Sequence, residues 1–145
     1  MGTGRRSDLG AVMTYIVTPK LNRTVLVKDP SKPNALWKLP GGGIEESDRD
    51  IIAAAIREVL EETGIVLSRE EITLVAEQKR ENGMYYPYFC VACVSEKKLD
   101  TREKVGDEDG KRIMVSDFER TEVPTMLDLL ERHRSFIQEA EKMLA

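Results

Sequence analysis

Cysteine, histidine and long apolar runs are all scarce in this chain, and each scarcity removes a class of function. Cys90 and Cys93 are its two cysteines. They form a C-x-x-C, but in the β-rich run YYPYFCVACV their odd separation puts them on opposite strand faces, and no second Cys/His pair stands ready to complete a zinc site. Buried, reduced thiols are the expectation. His133 is the one histidine. Without a positioned Ser or Cys it has no nucleophile to serve, and among the charges of a C-terminal helical pattern it is expected at the surface. No stretch approaches the roughly 18 to 20 apolar residues of a membrane span, and the opening MGTGRRSDLG lacks the apolar centre of a secretory signal. A cytoplasmic protein without a membrane partner is therefore expected. Basic residues number 22 against 26 acidic, a net charge of -4, so there is no positive surplus to grip a long nucleic acid. A small anionic substrate bridged by a cation is the better fit.

The 145 residues suffice for one sizeable core, and a single domain over residues 1–145 is expected, with no internal repeat or linker. Strand-like runs cover Ala11 to Thr18 and Thr24 to Lys28, with Pro19 to Arg23 as a turn. A loop with Pro30 and Pro33 follows, then an extended Ala35 to Leu39. Asp50 to Thr63 has helical periodicity, with Ile52, Ala55, Ile56 and Val59 as its buried stripe. Ile72 to Arg80 and Met84 to Ser95 form a hairpin across Asn82-Gly83. Residues 97–111 are charged and poor in apolar anchors, and Arg112 to Val115 returns to strand. A last helix is expected from Pro124 to Leu144, anchored by Met126, Leu129, Leu130, Phe136 and Ile137.

The chemistry concentrates in LPGGG at Leu39 to Gly43 and REVLEETGI at Arg57 to Ile65. Glu58, Glu61 and Glu62 stand at i, i+3 and i+4, so on a helix their carboxylates share one face. Like charges at that spacing repel. They also fall near the helix end, where Gly64 is the expected C-cap and the dipole disfavours negative charge. Such an arrangement suggests an external cation, and clustered carboxylate oxygens suit hard Mg2+ or Mn2+. A solvated acidic helix face is the bland alternative. Gly41, Gly42 and Gly43 tip the balance: after Pro40 they can take backbone angles closed to other residues and bring main-chain N–H groups close to an anion.

Together these segments resemble the Nudix box of the Nudix (MutT-like) hydrolases, whose pattern is Gly, five residues, Glu, seven residues, then Arg-Glu-aliphatic-any-Glu-Glu-any-Gly-aliphatic. Arg57, Glu58, Val59, Glu61, Glu62, Gly64 and Ile65 match the second half. Gly42 matches the first glycine and puts Asp48 where the family has Glu, but eight residues then separate Asp48 from Arg57. Counting back from Arg57 instead selects Gly43 and Arg49. Ser47 with Asp50 also resembles a capping box, which would make Asp48 a carboxylate of the helix start.

The resemblance implies the Nudix fold, an α/β/α sandwich with a central mixed sheet, and metal-dependent hydrolysis of a diphosphate in a nucleoside diphosphate-X substrate. By resemblance, Glu58, Glu61 and Glu62 hold Mg2+ (or Mn2+), Arg57 orients a neighbouring carboxylate, and Gly42 and Gly43 shape the turn against the metal and phosphate. The general base is a box glutamate, with Glu58 and Glu61 the candidates, or an acid of the loop EKVGDEDGKR, where Glu108 resembles the loop glutamate of some members. Lys38, Arg80 and Arg112 are candidate phosphate or base contacts, and Tyr85 and Tyr86 could stack on a base. The position where many ADP-ribose hydrolases carry proline is here Glu81. Nucleoside triphosphates, damaged nucleotides and dinucleoside polyphosphates therefore rank above nucleotide sugars as substrates. Monomer and homodimer are both open. The competing reading is a catalytically weak or inactive Nudix-like module that binds a nucleotide or a protein.

Overall fold

The computed structural model describes residues 10–18, 22–77, 87–100, 107–108 and 111–144. At its centre lies β1 (Ala11–Thr18), an unbroken apolar and β-branched run whose residues are all buried. β5 (Pro87–Cys93) runs parallel along one edge of β1, from Pro87 opposite Ala11 to Cys93 opposite Val17. The other edge is shared. β2 (Arg23–Lys28) pairs antiparallel near Thr18, and β3 (Gly41–Gly43) pairs antiparallel near Ala11. β4 (Ile72–Glu77) lies outside β5, with a bulge between Leu74 and Ala76, and β8 (Met114–Glu119) lies outside β2. The order is β4-β5-β1-β2-β8, a mixed sheet. β6 (Asp107–Glu108) and β7 (Lys111–Arg112) form a separate two-stranded ladder.

The period-2 pattern of β1 assigns its two faces. Met13, Tyr15 and Val17 join Phe89, Val91 and Leu26 against Phe136, Ile137 and Ala140 of α3 (Glu131–Leu144). Val12 and Ile16 join Val25, Cys90 and Ala92 against Ala54, Ala55 and Val59 of α1 (Ile51–Thr63). The result is the α/β/α sandwich with a central mixed sheet. A polar chain reinforces the α3 side: the buried Tyr15 hydroxyl donates to Glu141, which also accepts from Arg120 Nε at 3.0 Å.

Several elements depart from the sequence reading. The last helix begins at Glu131 rather than Pro124, after a 3-10 turn at Val123–Thr125. The stretch between is drawn into pairing with Trp37, which donates to Asp128 O at 2.7 Å and accepts from Leu130 N at 2.8 Å, so tertiary pairing overrides local helix preference. Arg134 secures it by donating to the carbonyls of Pro124 and Met126. Among the described residues of the charged stretch 97–111, Leu99, in the short α2 (Glu96–Asp100), is fully buried and serves as an apolar anchor. The expected strand at Arg112 to Val115 is divided: Arg112 ends β7, and β8 begins at Met114 and continues to Glu119 because Ser116, Asp117 and Phe118 pair with β2. Cys90 and Cys93 do face opposite ways, but Cys93 is exposed rather than buried. Asn82-Gly83, Tyr85, Tyr86 and Arg80, like most of the Pro19 to Arg23 turn, lie outside the described residues.

Candidate active site

α1 starts where Asp50 accepts the Ala53 N–H at 2.8 Å and ends where Gly64, at φ 78°, donates to Leu60 O. Its buried side is turned from the expected stripe. Ile52 and Ile56 are only partly covered, whereas Ala54, Ala55, Glu58, Val59, Glu62 and Thr63 are buried. Two carboxylates thus face the sheet, Glu58 at 3% and Glu62 at 5% exposure, while Glu61 stands exposed beside them.

What lies over them is the glycine run, and its role differs from the expectation. Gly41–Gly43 is a strand paired with β1, not a turn of unusual backbone angles; the positive-φ glycines among the described residues are Gly10 and Gly64. Glycine is required here by closeness. A Cβ at Gly41 would come within 2.1 Å of the Val12 carbonyl oxygen, and one at Gly42 within 2.5 Å of Glu58 Oε2. The Gly41 N–H is directed at Glu62 Oε1, 2.7 Å away, rather than offered to an outside anion. Adjacent glycines therefore seat adjacent carboxylates.

Arg57 is the hub. Nε and Nη2 donate to the two oxygens of Asp48, each at 2.9 Å, and Nη2 also reaches Gly43 O at 3.0 Å. Nη1 serves Glu58 at 2.9 Å and Glu61 at 3.2 Å, with Glu45 at 3.7 Å. Asp48 is consequently not the cap of the helix start, a role that Asp50 takes. Its carboxylate is almost fully covered and also accepts the Glu45 N–H at 2.8 Å. Arg49 is exposed. The extra residue of the box thus sits in the loop ahead of Ile51, and the Gly42 and Asp48 register is the one that meets Arg57 and Glu58. Burial alone would raise the Asp48 pKa, but the Arg57 bonds and the Glu45 amide hold it below the ordinary carboxylate range. The same pairing pushes Arg57 further up.

A depressed native pKa means stability present above the unfolded carboxyl pKa and lost as pH falls through the native one. Asp48→Ala, which removes the two charged hydrogen bonds holding one edge of the Arg57 guanidinium, is expected to cost about 1.5 to 3 kcal/mol at neutral pH. The deficit should shrink in urea titrations taken progressively below about pH 4, where the wild-type carboxylate is itself being protonated. A deficit independent of pH would contradict the pairing.

The remaining candidates are placed differently. Lys38, three residues before Gly41, lines a cleft of about 530 Å3 with Asp29, Lys32, Asn34, Leu36 and Leu130. Glu108 belongs to β6 by its backbone, but its side chain, like that of Arg112, lies outside what is described. His133 overturns its surface assignment: it is 4% exposed, and its Nδ1 accepts the Leu39 N–H at 2.9 Å. Charged neighbours in sequence hid it, since Arg132 and Arg134 point elsewhere on α3 while His133 takes the inward position of the helix.

This fold, with an arginine-centred carboxylate helix packed under a glycine strand, defines a recognisable class. A family model described as NUDIX domain matches residues 9–140, and the chain belongs to that family. It is similar to Nucleoside diphosphate-linked moiety X motif 6 of Mus musculus, 35% identical over 43% of this chain and 20% of that protein. It is also similar to the Homo sapiens protein of that name, 35% identical over 57% of this chain and 26% of that protein. The chain spans less than a third of the length of these curated relatives. Among solved structures, one from a study of MutT from Aliivibrio salmonicida and Vibrio cholerae superposes with a TM-score of 0.68 at 16% identity, covering 90% of this chain and 94% of that one. That likeness supports the fold.

The donor set suits a hard cation in kind and in charge. Asp48, Glu58, Glu61 and Glu45 gather about Arg57, with Glu62 alongside, so carboxylates outnumber the guanidinium. In the arrangement described, Glu58 and Glu61 turn to Arg57 and Glu62 to Gly41. Among the described residues no three Asp, Glu, His or Cys side chains meet at one point.

Proposed function

We propose that this chain is a divalent-cation-dependent pyrophosphohydrolase that cleaves the diphosphate of a nucleoside diphosphate-X substrate. Nucleoside triphosphates, damaged nucleotides and dinucleoside polyphosphates rank ahead of nucleotide sugars. The observation that carries this reading is the pair of buried carboxylates, Glu58 and Glu62, seated under Gly42 and Gly41 in a NUDIX domain. Arg57 meets the charge of Glu58 and the Gly41 N–H meets Glu62, yet carboxylates outnumber the guanidinium, and a bound cation would balance the surplus.

Glu58, Glu61 and Glu62 would hold Mg2+ or Mn2+, which when bound would neutralise phosphate charge and activate water for in-line attack. Arg57 keeps Glu58 in one orientation and is itself fixed by the two-toothed bond to Asp48. Gly42, having no Cβ, leaves the room that the buried Glu58 carboxylate occupies. Lys38 and Lys32 supply positive charge in a cleft whose volume suits a nucleotide-sized ligand, with Asn34, Leu36 and Leu130 able to meet a base. One domain over residues 1–145 belongs to the same reading, supported by the family match over 9–140. No described helix is long and apolar enough to cross a membrane; a cytoplasmic setting is in keeping with the free thiols of Cys90 and Cys93.

The experiment is phosphate or pyrophosphate release over a panel of nucleotides, with and without Mg2+. Cation-dependent release of a nucleoside monophosphate is the expected result. Binding without release would favour the competing reading, a non-hydrolysing module. The base is tested alongside. If Glu108 is the base, Glu108→Gln lowers kcat by roughly 100 to 10,000-fold and removes the acidic limb of the pH-rate profile. If a box glutamate is the base, that variant changes the rate less than about tenfold and Glu58→Gln carries the loss.

A further inference from the structure

Between the cleft and the carboxylate site runs the segment Trp37–Gly41, and it is held from several elements at once. Lys38 exchanges backbone hydrogen bonds with Val27 at 2.9 Å, Thr14 N donates to Pro40 O at 3.0 Å, and Gly41 N donates to Glu62 at 2.7 Å. Leu39 is the exception. Its N–H finds no backbone carbonyl and donates instead to the imidazole Nδ1 of His133, contributed by α3 from the opposite layer. Leu39 is 1% exposed and His133 4% exposed, so neither end of the bond has ready access to water. An N–H can be accepted only by an unprotonated nitrogen, which requires the neutral tautomer with its proton on Nε2.

We infer that His133 is a positioning residue for the carboxylate site: its neutral imidazole, acting through Leu39, sets where Gly41 and Gly42 lie over Glu62 and Glu58. This rests on the hydrolase reading for its catalytic consequence. Leu39 and Gly41 are two residues apart in an extended chain, on the order of 7 Å, so a shift at the first is passed to the second with little slack. Gly42 cannot drift inward, because Glu58 already fills the space a Cβ would need. Phe89 holds the imidazole edge-on, with ring centroids 6.2 Å apart. Burial, with the charges of Arg132 and Lys38, pushes the His133 pKa down to about 3, which keeps the acceptor intact at working pH.

The test compares His133→Leu, which removes the acceptor and keeps bulk, with His133→Asn, whose Oδ1 can replace Nδ1. Both variants should be less stable than the wild type. A purely structural role would leave both folded proteins equally active at a temperature well below their melting points. A positioning role predicts that His133→Leu loses kcat by about 10 to 100-fold with KM changed less than about threefold, while His133→Asn stays within about threefold of wild type. Independently of turnover, Gly41 amide exchange should quicken at least tenfold in His133→Leu relative to the central-strand amide of Ile16, and should not in His133→Asn. Imidazole 15N shifts of the wild type should show Nε2 protonated and Nδ1 bare. Unchanged Gly41 protection in His133→Leu, equal losses in both variants, or the Nδ1-protonated tautomer would each overturn the inference. Should the wild type turn over nothing on the panel, the hydrolase reading alone fails, and the exchange and tautomer results decide the role of His133.

Discussion

Gly42→Ala should remove most turnover while leaving a folded protein, and Gly41→Ala should compromise the fold itself. The two substitutions add the same methyl group one residue apart, and what each methyl meets separates them. At Gly42 it meets the Glu58 carboxylate, at 2.5 to 2.8 Å from its three end atoms. That end of the side chain can swing aside without any backbone moving, but in doing so it leaves Arg57 Nη1 and the place where it would hold a cation. Displacing a reacting group by about 1 Å is enough to cost about 100-fold, so kcat should fall at least that far. At Gly41 the methyl meets backbone, Val12 O at 2.1 Å and Met13 Cα at 2.8 Å. Neither can yield without separating β3 from β1, an overpacking expected to cost about 3 kcal/mol or more. Thermal unfolding with single-turnover rates reads both effects. A Gly42→Ala protein with near-normal turnover would remove Glu58 from the machinery.

The layers of the fold were legible because they rest on local signals. β1 reads as a central strand from eight consecutive strand-forming or apolar residues, and α1 reads as a helix from its periodicity and from Gly64. The helix face was less so. Hydrophobicity alone points to Ile52 and Ile56, yet the sheet-facing side takes Glu58 and Glu62, because the glycine strand above them leaves room for carboxylates that side chains would have filled. The non-helical course of residues 126–130 was not legible at all. TMLDLLERHR has helical periodicity from its first residue, and the competing hydrogen bonds come from Trp37, some ninety positions away, and from the Arg134 side chain.

Among the site residues, the box half from Arg57 to Glu62 could be read as motif, whereas the partner of Arg57 could not be chosen between Asp48 and Arg49 by counting. Charge decides it once the loop is folded, since a guanidinium cannot accept a second cation in the slot that Asp48 fills with two hydrogen bonds. His133 shows the opposite failure. Its neighbours in sequence are charged, so composition places it outside, but the register of α3 set by Phe136, Ile137 and Ala140 carries it inward. Nothing in the sequence announces that a backbone N–H at Leu39 waits there for an acceptor.

Glu61→Gln and Glu62→Gln are each expected to abolish cation-dependent turnover, and the two should differ in what else they disturb. Glu61 is exposed and touches Arg57 at 3.2 Å, so its neutral variant relieves repulsion near the helix C-terminus without stranding a buried partner. Melting temperature without metal should hold or rise. Glu62 is buried and accepts the Gly41 N–H, a bond that the Gln carbonyl oxygen can keep; Glu62→Gln should stay folded, whereas Glu62→Ala should lose Gly41 protection as well. A cation that binds only the native protein adds about 2.7 kcal/mol at a hundredfold excess over its dissociation constant. Saturating Mg2+ should therefore raise the wild-type melting temperature and leave that of either Gln variant nearly unmoved. If Glu62→Gln were still stabilised by Mg2+ and turned over substrate at limiting metal, the ion would have to be held without Glu62. Its burial beneath Gly41 would then serve the packing of β3 on α1 alone.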